Sequence, residues 1–469
     1  MPTSLPARDR YVILISVFLG WMFAGVEMSL MVPATRPAIQ DFLSATQRVA
    51  GTAISESKAS AKAESPLTQK LSPLDGERDG KAPALHSLSN SPRSSQDQLK
   101  HFETSADQWL SWYIAAFLLG AAVGGAAFGW MADRAGRVKA MGWSIVCYSV
   151  VTGLSYFART PQELLVLRFL ACLGIGGMWP SGVALAAEAW PSASRPALAG
   201  LIGTAANVGF LALGIIMLYH PITKESWRWV LLLGGTPILL GWAVLWLVPE
   251  SPRWLAGRDK ALSSSTPPVA EVFHSPFLQR TLLGIALGTI PLLGGWASGQ
   301  RLVPWAGQVG EQAGLPQLKA LTQTLWAFGA VVGSLLGGWV ASSLGRRQSY
   351  FLISLGSLVL SGYIFLTLTP TDREFLWATF ALGLVSTSFF GWLPYYLPEL
   401  FPTRIRATGA GVSYNFGRIF SAIAVWSSAA LSGVFQGNIA KMGAATSLVY
   451  AAGLLIAWLI PANTESTEE

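Results

Sequence analysis

The sequence predicts an all-α membrane protein whose twelve transmembrane helices form two pseudo-symmetric six-helix bundles. Three observations predict it: the composition, the number of long apolar runs, and an internal repeat. Of the 469 residues, 52% are hydrophobic and only 12% are charged, whereas about 25% of the residues of a soluble domain are charged. The 20 Trp residues are typical of helix ends that meet a lipid interface. The composition therefore favours lipid over water as the surroundings of this chain.

Twelve apolar runs are long enough to cross a bilayer, since a spanning helix needs about 20 predominantly apolar residues. The first run is preceded by two basic residues, Arg8 and Arg10, an arrangement that is also typical of a signal peptide. It is longer than the apolar core of a cleaved signal, which has about 7–15 residues, so we expect a retained helix. The runs are 11–32, 108–131, 139–158, 162–187, 196–218, 228–248, 279–299, 317–341, 349–369, 374–397, 407–432 and 441–461.

The segments between the runs define the expected domains. These are an N-terminal segment at 1–10, an N-terminal bundle at 11–248, a linker at 249–278, a C-terminal bundle at 279–461 and a tail at 462–469. Within the first bundle, residues 33–106 are rich in Ser, Ala, Pro and mixed charge and poor in aromatic residues. We expect a disordered external insert there, because such a segment buries too little apolar surface to offset its ordering entropy. The alternative is an external binding module.

The basic residues predict the orientation in the membrane. One side receives Arg8, Arg10, Arg134, Arg137, Lys139, Arg195, Arg253, Arg258, Lys260, Arg346, Arg347, Arg404 and Arg406. The loops on the other side contain scattered Arg159, Lys224, Arg301, Arg373 and Lys441. Because cytoplasmic loops collect Lys and Arg, we expect a multi-pass protein of the plasma (inner) membrane with both termini in the cytoplasm. The net charge of +7 then needs no nucleic-acid partner.

Two motifs recur at nearly the same spacing. "GWMADRAGRVKAM" at 129–141 returns as "GWVASSLGRRQSY" at 338–350, and "EAWPSASRPALAG" at 188–200 returns as "ELFPTRIRATGAG" at 399–411. Each motif follows a predicted helix of corresponding rank, which indicates two homologous six-helix halves. Transporters are commonly built from such repeats, with a substrate site between them near the bilayer midplane.

Each copy of the first motif predicts a tightly packed corner with a charged latch. The glycines four residues apart, Gly120 with Gly124 and Gly329 with Gly333, allow helix backbones to approach closely in lipid. The candidate gating and latch residues are Asp133, Arg134, Gly136, Arg137, Glu188, Arg195, Glu250, Arg253, Arg346, Glu399 and Arg406. We expect Arg137 to pair with Glu188 and Arg346 with Glu399 in one packing of the helices and to release in another. The alternative is that these are surface charges that follow the positive-inside rule.

The second corner departs from the first at two positions. Ser342 and Ser343 stand where the first corner has Asp133 and Arg134. The copy therefore keeps the packing glycines and only part of the latch. We expect the N-terminal corner to be the stronger gate.

Three ionisable residues lie inside apolar runs: Glu27 in the first, Arg168 in the fourth and Arg418 in the eleventh. A charge at the centre of a spanning helix costs about 2.5–3.5 kcal/mol on insertion scales. We therefore expect all three side chains to face the protein interior.

The motifs "GWMADRAGR", "RFLACLGIGG", "PESPRWL" and "ELFPTRIRATG" resemble those of the major facilitator superfamily, and the resemblance covers nearly the whole chain outside 33–106. The last two motifs are similar to those of its sugar porter branch and of related organic-ion and metabolite:proton symporters. The resemblance implies the major facilitator fold and alternating access, in which two bundles rock around a central site.

The resemblance also implies roles for the buried charges. Glu27 matches the acidic position that aromatic-acid and sialic-acid symporters carry in helix one, although those relatives usually have a second acid where this chain has Ala24. The resemblance implies that Glu27 binds the co-transported proton and that Arg168 is the ion-pair partner of Glu27. The alternative is a fixed structural ion pair.

Arg418 resembles the arginine that organic-acid members carry in helix eleven, where a guanidinium can bind a carboxylate through two hydrogen bonds. The alternative is that Arg418 pairs with a helix carbonyl or with another acid. The other candidate substrate-binding residues are Asn415, Gln300, Trp296, Trp392 and Tyr395. Sugar porters typically have a Gln-Gln pair in helix seven, and Gln300 alone weakens the sugar interpretation. Pro394 and Pro398 predict a broken, mobile half-helix in helix ten.

The sequence also excludes several classes of function. It contains no G-x-x-x-x-G-K-[ST] motif for a nucleotide-driven pump, and no His-rich, Cys-rich or paired-carboxylate cluster for an enzyme, a metal site or a cofactor. We expect a monomeric secondary active transporter whose partners are a small-molecule substrate, a proton and the lipid bilayer. An organic acid of the sialic-acid or aromatic-acid type is the expected substrate. The alternatives are a proton-coupled sugar transporter and a nutrient sensor that does not transport.

Overall fold

The computed structural model describes residues 5–63, 92–190, 195–252, 254–255, 271–401 and 406–461. Side chains are described in these ranges except at 46–63, 92–99, 133, 195–199, 394–395, 398 and 406–408. The described part contains twelve helices that are long and apolar enough to cross a membrane. They are α1 (Ala7–Ala45), α2 (Lys100–Ala132), α3 (Arg137–Phe157), α4 (Pro161–Ala189), α5 (Gly200–Tyr219), α6 (Trp229–Leu247), α7 (Leu278–Ala313), α8 (Leu318–Leu344), α9 (Arg346–Thr367), α10 (Arg373–Gly391), α11 (Gly409–Val434) and α12 (Ile439–Ala457). The predicted twelve-helix, all-α architecture is confirmed.

Packing repeats between the two halves of the chain. In the first half α2 packs on α4, α1 on α5, and α3 on both α4 and α6. In the second half α8 packs on α10, α7 on α11, and α9 on both α10 and α12. The halves meet where α5 packs on α8 and where α2 packs on α11, and these two interfaces exchange under the same pseudo-symmetry. Two six-helix bundles with a central crevice follow from this arrangement.

Because the number of described spans is even, the start of α1 and the end of α12 lie on the same side of the molecule. We call this side the terminal face, marked by Gly136 and Gly345, which precede the first residues of α3 and α9. The other side is the opposite face, marked by Tyr219 at the end of α5 and by Leu318 at the start of α8.

The glycines of the repeat hold the paired helices in backbone contact. A Cβ atom on Gly124 would collide with the backbone of Leu173 in α4, and one on Gly333 would collide with the backbone of Leu384 in α10. The two contacts occupy corresponding positions in the two bundles. The predicted close approach is confirmed, and small residues make it possible where no hydrophobic effect draws helices together in lipid.

The region 33–106 differs from the expected disordered insert. The helix that contains α1 extends from Ala7 to Ala63, and the helix that contains α2 begins at Pro92. Ala38, Ile39 and Phe42 are buried, and the Phe42 ring lies 5.5 Å from that of Trp227. The polar composition of residues 33–106 as a whole gives no indication of these buried apolar side chains. Residues 33–45 and 100–106 therefore belong to the N-terminal bundle, while 64–91 lie outside the described residues.

Two predicted helices are interrupted. In α7, a π-helical segment at Gly294–Ser298 is followed by a 3-10 turn at Gly299–Arg301, and the α-helix resumes at Leu302. The prediction that helix seven ends at residue 299 and that Arg301 lies in a loop is wrong, because "LVPWAGQV" continues the helix and buries Arg301 to 2% exposure. In α10, a 3-10 turn at Ser388–Gly391 precedes a short helix, Leu393–Glu399. This break agrees with the expected effect of the two prolines.

The helix contact at Gly124 predicts a position-specific loss of stability. Gly124→Ala should lower the free energy of unfolding by about 1–3 kcal/mol, because a new methyl group forces two packed backbones apart. Thermal unfolding of the purified protein in detergent measures the effect. Gly129→Ala in the same helix is the matched control, since nothing lies within 4 Å of a Cβ there. Equal stability of the two variants would contradict the proposed role of Gly124.

Candidate functional site

A cavity of about 110 Å³ lies between the two bundles. Side chains from α1, α2, α4 and α5 face it from one bundle, and side chains from α7, α8, α10 and α11 face it from the other. Its lining residues are Trp21, Met28, Phe117, Trp179, Gly203, Ala206, Asn207, Phe210, Pro291, Leu292, Gly295, Trp296, Gln300, Trp326, Ser386, Thr387, Phe390, Tyr414 and Arg418. The cavity lies where alternating access would place a substrate site.

Aromatic side chains supply eight of the 19 residues that line the cavity. The rings of Trp21 and Trp179 lie 4.8 Å apart in the N-terminal bundle. Phe117 of α2 lies 4.6 Å from Trp296 of α7, so that one aromatic pair spans the two bundles. Such walls offer flat apolar faces for a planar or ring-bearing ligand.

A few polar groups interrupt this aromatic wall. Arg418, Asn207 and Gln300 are among them. Gln300 Oε1 and Trp326 Nε1 are buried and have no hydrogen-bond partner in the described part of the chain. Buried polar atoms are generally hydrogen-bonded, so these two atoms are available to a ligand.

Glu27 of α1 and Arg168 of α4 form a buried ion pair. The Arg168 Nη1 group donates to Glu27 Oε1, and Nη2 donates to the backbone carbonyl of Glu27 at 3.0 Å. Glu27 is fully buried and Arg168 is 4% exposed. The expectation that these charges face the protein interior holds for both side chains.

The ion pair lies directly behind the cavity wall. Met28, the residue after Glu27, lines the cavity. Phe117 lines it as well, and its ring lies 6.0 Å from the Arg168 guanidinium carbon. A change in the Glu27–Arg168 pair can therefore reach the substrate space through one layer of side chains.

Arg418 of α11 lines the cavity and crosses to the other bundle. Its Nη1 group donates to the backbone carbonyl of Ala121 in α2 at 3.1 Å, and its guanidinium lies 4.8 Å from the Tyr414 ring. In the described part of the chain, no ion pair joins Arg418 to a carboxylate. The side chain is 6% exposed. It is thus a buried cation that faces the cavity and is held by a neutral carbonyl.

The structure separates the other predicted substrate-binding residues. Trp296 and Gln300 line the cavity. Asn415 lies instead at the α2–α11 interface, with its Oδ1 beside Gly125. Trp392 lies in the core of the C-terminal bundle, 5.7 Å from the Tyr396 ring, because the 3-10 turn before it directs the side chain into that core. The Tyr395 side chain lies outside the described residues.

The N-terminal corner at the terminal face is built around Glu250. Gly136 has a φ of 116° and precedes the first residue of α3. The Glu250 carboxylate accepts hydrogen bonds from the backbone N–H groups of Arg137 at 3.0 Å and Val138 at 3.2 Å, where a negative charge also complements the helix dipole. Arg137 Nε lies 3.4 Å from Glu188 Oε1. The structure therefore contains the predicted Arg137–Glu188 pair together with a helix cap.

The C-terminal corner repeats the arrangement in a more exposed form. Gly345 has a φ of 81°, and Arg346 pairs with Glu399. The side chains of this pair are 31% and 44% exposed, against 18% for each member of the Arg137–Glu188 pair. This difference agrees with the expected greater strength of the first corner.

The remaining latch candidates are less informative. The exposed Arg134 guanidinium lies over the Trp130 ring at 4.7 Å. The Arg253 residue and the side chains of Asp133, Arg195 and Arg406 lie outside the described residues. Among the residues that are described, no group of three His, Cys, Asp or Glu side chains could hold a metal ion.

The sequence analysis missed a set of charges near the opposite face. Asp107 of α2 pairs with Arg301 of α7, and both side chains are buried. Arg36 of α1 pairs with Glu103 of α2 and, at 2.7 Å, with Glu311 of α7. Arg36 and Glu103 lie within the predicted disordered insert, and Asp107 adjoins it. Arg301 falls in a predicted loop, so the local pattern gives no reason to bring these residues together. A signal was nevertheless present, since the apolar pattern resumes directly after Arg301.

These contacts close the crevice towards the opposite face. Both described ion pairs that join the two bundles, Asp107–Arg301 and Arg36–Glu311, lie in that half of the molecule. Lys319 of α8 adds a bridge there, because its Nζ group donates to the carbonyl of Ile222 in the other bundle at 2.9 Å. At the terminal face, the Arg137–Glu188 and Arg346–Glu399 pairs each join residues of a single bundle.

Comparison with known proteins agrees with this architecture. The chain is 31% identical over 363 residues to a putative metabolite transport protein of Haemophilus influenzae, an alignment that covers 73% of this chain and 84% of that protein. It is 28% identical over 300 residues to a sialic acid transporter of Escherichia coli, which covers 63% of this chain and 71% of that protein.

A solved structure shares the fold. The xylose transporter of Escherichia coli, in a partially occluded inward-open conformation, superposes with a TM-score of 0.67 at 17% identity, covering 98% of this chain and all of that chain. The sequence profile of the Major Facilitator Superfamily matches residues 94–425. The chain is a multi-pass membrane protein and belongs to the Major Facilitator Superfamily of metabolite transporters.

Proposed function

We propose that this transporter is a proton symporter for a small organic acid and that its termini lie in the cytoplasm. The observation that supports it most strongly is the buried Glu27–Arg168 pair behind the wall of the central cavity. The basic residues at the terminal face, including Arg137 and Arg346, support the orientation through the positive-inside rule.

Proton coupling follows from the cost of leaving a buried charge alone. Removing one partner from a buried ion pair costs about 3–5 kcal/mol. Separation of Glu27 from Arg168 is therefore favourable only when Glu27 takes up a proton, because burial penalises the charged carboxylate. Arg168 still has the carbonyls of Glu27 and Met28 as acceptors. Proton binding thus selects a different position of the Glu27 side chain relative to Arg168, while the contacts of Arg168 with the α1 backbone are kept.

The substrate class follows from the lining of the cavity. Arg418 is a cation within the cavity wall whose described acceptors are neutral, namely the Ala121 carbonyl and, at 3.5 Å, Asn415 Oδ1. A guanidinium is suited to bind a carboxylate through two hydrogen bonds. The aromatic pairs offer flat surfaces for the body of the substrate. A sialic acid transporter is among the relatives of this chain. These features support an acid that combines one carboxylate with a planar or ring-shaped body.

Glu27→Gln tests the coupling. The variant should lose accumulation driven by an inward proton gradient and retain substrate exchange at equal pH, because an amide keeps the shape of the site and cannot release a proton. Uptake and counterflow in proteoliposomes measure the two activities. Glu163→Gln, an exposed carboxylate of the same α4 helix as Arg168, is the matched control. Full gradient-driven accumulation by Glu27→Gln would refute the coupling role.

Arg418→Gln tests the substrate class. Wild-type protein should be stabilised against heat by a carboxylate ligand from a panel of sialic acids, aromatic monocarboxylates and neutral hexoses. The variant should bind that ligand at least about tenfold more weakly, since a hydrogen bond to a charged group contributes about 1.5–3 kcal/mol. Thermal shift titration measures both results, with the exposed Arg373→Gln as control. Stabilisation by hexoses alone, or unchanged acid binding in Arg418→Gln, would contradict the assignment.

The two corners predict unequal effects of one substitution. Glu250→Gln should lower the unfolding free energy by about 1–2 kcal/mol, because its carboxylate caps α3. Glu399→Gln should cost less than about 1 kcal/mol, because its ion pair is partly exposed and screened by solvent. Thermal unfolding of both variants in detergent makes the comparison. A larger effect at Glu399 would show that the C-terminal corner is the stronger one.

A further inference from the structure

The Asp107–Arg301 pair is the most buried charged contact between the two bundles. Asp107 is 5% exposed and Arg301 is 2% exposed, and the guanidinium Nη1 group donates to Asp107 Oδ1. The proposed coupling through Glu27 makes no use of this pair, which lies in a different interface and connects α2 to α7.

The hydrogen bonds of Arg301 are divided between the bundles. Nε donates to the carbonyl of Ala297 at 2.7 Å and Nη2 to the Ser428 hydroxyl at 3.3 Å, both within the C-terminal bundle. Nη2 also lies 3.3 Å from the Ser111 hydroxyl, which belongs to the N-terminal bundle together with Asp107. If the bundles separate at this face, Arg301 keeps two partners that move with it.

Among the described residues of its own bundle, Asp107 has no comparable set of partners. The charged groups of the surrounding helices are Arg301 and Glu311 on α7, Glu103 on α2 itself and Arg36 on α1, while α11 contributes the hydroxyls of Ser428 and Ser432. Arg36 is already engaged by Glu103 and Glu311. Asp107 therefore depends on Arg301 for compensation of its charge.

We propose that Asp107 is a second proton-binding site of the transporter and that its protonation releases Arg301 and opens the crevice towards the opposite face. This inference rests on the proposed proton coupling and extends it to a residue outside the Glu27 site. A proton taken from the aqueous phase at the opposite face neutralises the carboxylate, the ion pair breaks, and Arg301 retains Ala297 and Ser428. In the reverse direction, loss of the proton restores the pair and closes the face.

The break in α7 couples this site to the cavity. Arg301 ends the 3-10 turn that follows the π-helical segment Gly294–Ser298, and such interruptions commonly mark functional hinges. Trp296 and Gln300 of the same stretch line the cavity. Release of Arg301 therefore allows the part of α7 that follows it, Leu302–Ala313, to move relative to the part that lines the cavity.

A cysteine at Ser432 reports on this interface. The Ser432 side chain is fully buried, and its hydroxyl donates across the bundles to the carbonyl of Thr104 at 3.1 Å. In the full chain, with Cys147 and Cys172 replaced by serine, Ser432→Cys is treated with a membrane-impermeant maleimide added at the opposite face. Tyr219→Cys, which is 78% exposed near that face, corrects for the effect of pH on thiol reactivity.

The expected result is a several-fold rise in corrected labelling as the pH at the opposite face falls from about 8 to about 5, because protonation of Asp107 removes the charge that holds Arg301. Asp107→Asn should label rapidly at both pH values. Asp41→Asn, which removes a carboxylate paired with Arg228 within one bundle, should behave as the parent. Asp107→Ser provides a second neutral variant if Asp107→Asn does not accumulate.

Two outcomes would overturn the proposal: labelling of the parent that does not respond to pH, or an unchanged pH response in the neutral Asp107 variants. Glu27→Gln distinguishes the proposal from the proposed function. A pH response of Ser432→Cys that persists in Glu27→Gln supports an independent site at Asp107, and its loss there shows that Glu27 titrates instead. Failure of gradient-driven uptake to depend on Glu27 would affect the proposed function without changing this labelling result.

Discussion

A carboxylate buried in the interior of a membrane protein must be compensated, and this requirement determines how the two bundles meet. Glu27 and Arg168 satisfy it within the N-terminal bundle, and Asp107 and Arg301 satisfy it between the bundles. In each pair, a proton bound to the carboxylate can take the place of the arginine, because a neutral carboxyl group no longer needs a charged partner. In the two proposals made above, the same physical rule provides the energy-coupling site at Glu27 and the lock at Asp107.

Close helix packing places these charges where they can act. Backbone contacts at Gly124 and Gly333 hold α2 against α4 and α8 against α10, and a cavity remains between the two bundles. The two halves differ at their corners on the terminal face. The first corner is capped by Glu250 and is largely buried, whereas the second retains a partly exposed pair.

Much of the fold could be predicted from the sequence, because periodic apolar runs and a spaced repeat are local signals. The glycine contacts and the Arg137–Glu188 and Arg346–Glu399 pairs followed from residues within those motifs. The Asp107–Arg301 pair did not, since its members lie 194 residues apart and each stands beside a segment that composition alone assigns to solvent. A site between the two bundles with Trp296 in it was predicted, but most of its aromatic wall was not. Trp21, Trp179 and Trp326 belong to three different helices, and no single-helix pattern distinguishes a cavity wall from a packed core.

Whether Glu27 exchanges a proton is measured most directly by infrared difference spectroscopy of the purified protein during a pH titration. The carbonyl stretching band of a protonated, buried carboxyl group should grow as the pH falls, and the component that belongs to Glu27 should be missing in Glu27→Gln. A spectrum that this substitution leaves unchanged at every pH would show that Glu27 remains ionised beside Arg168 and would contradict proton coupling at this site.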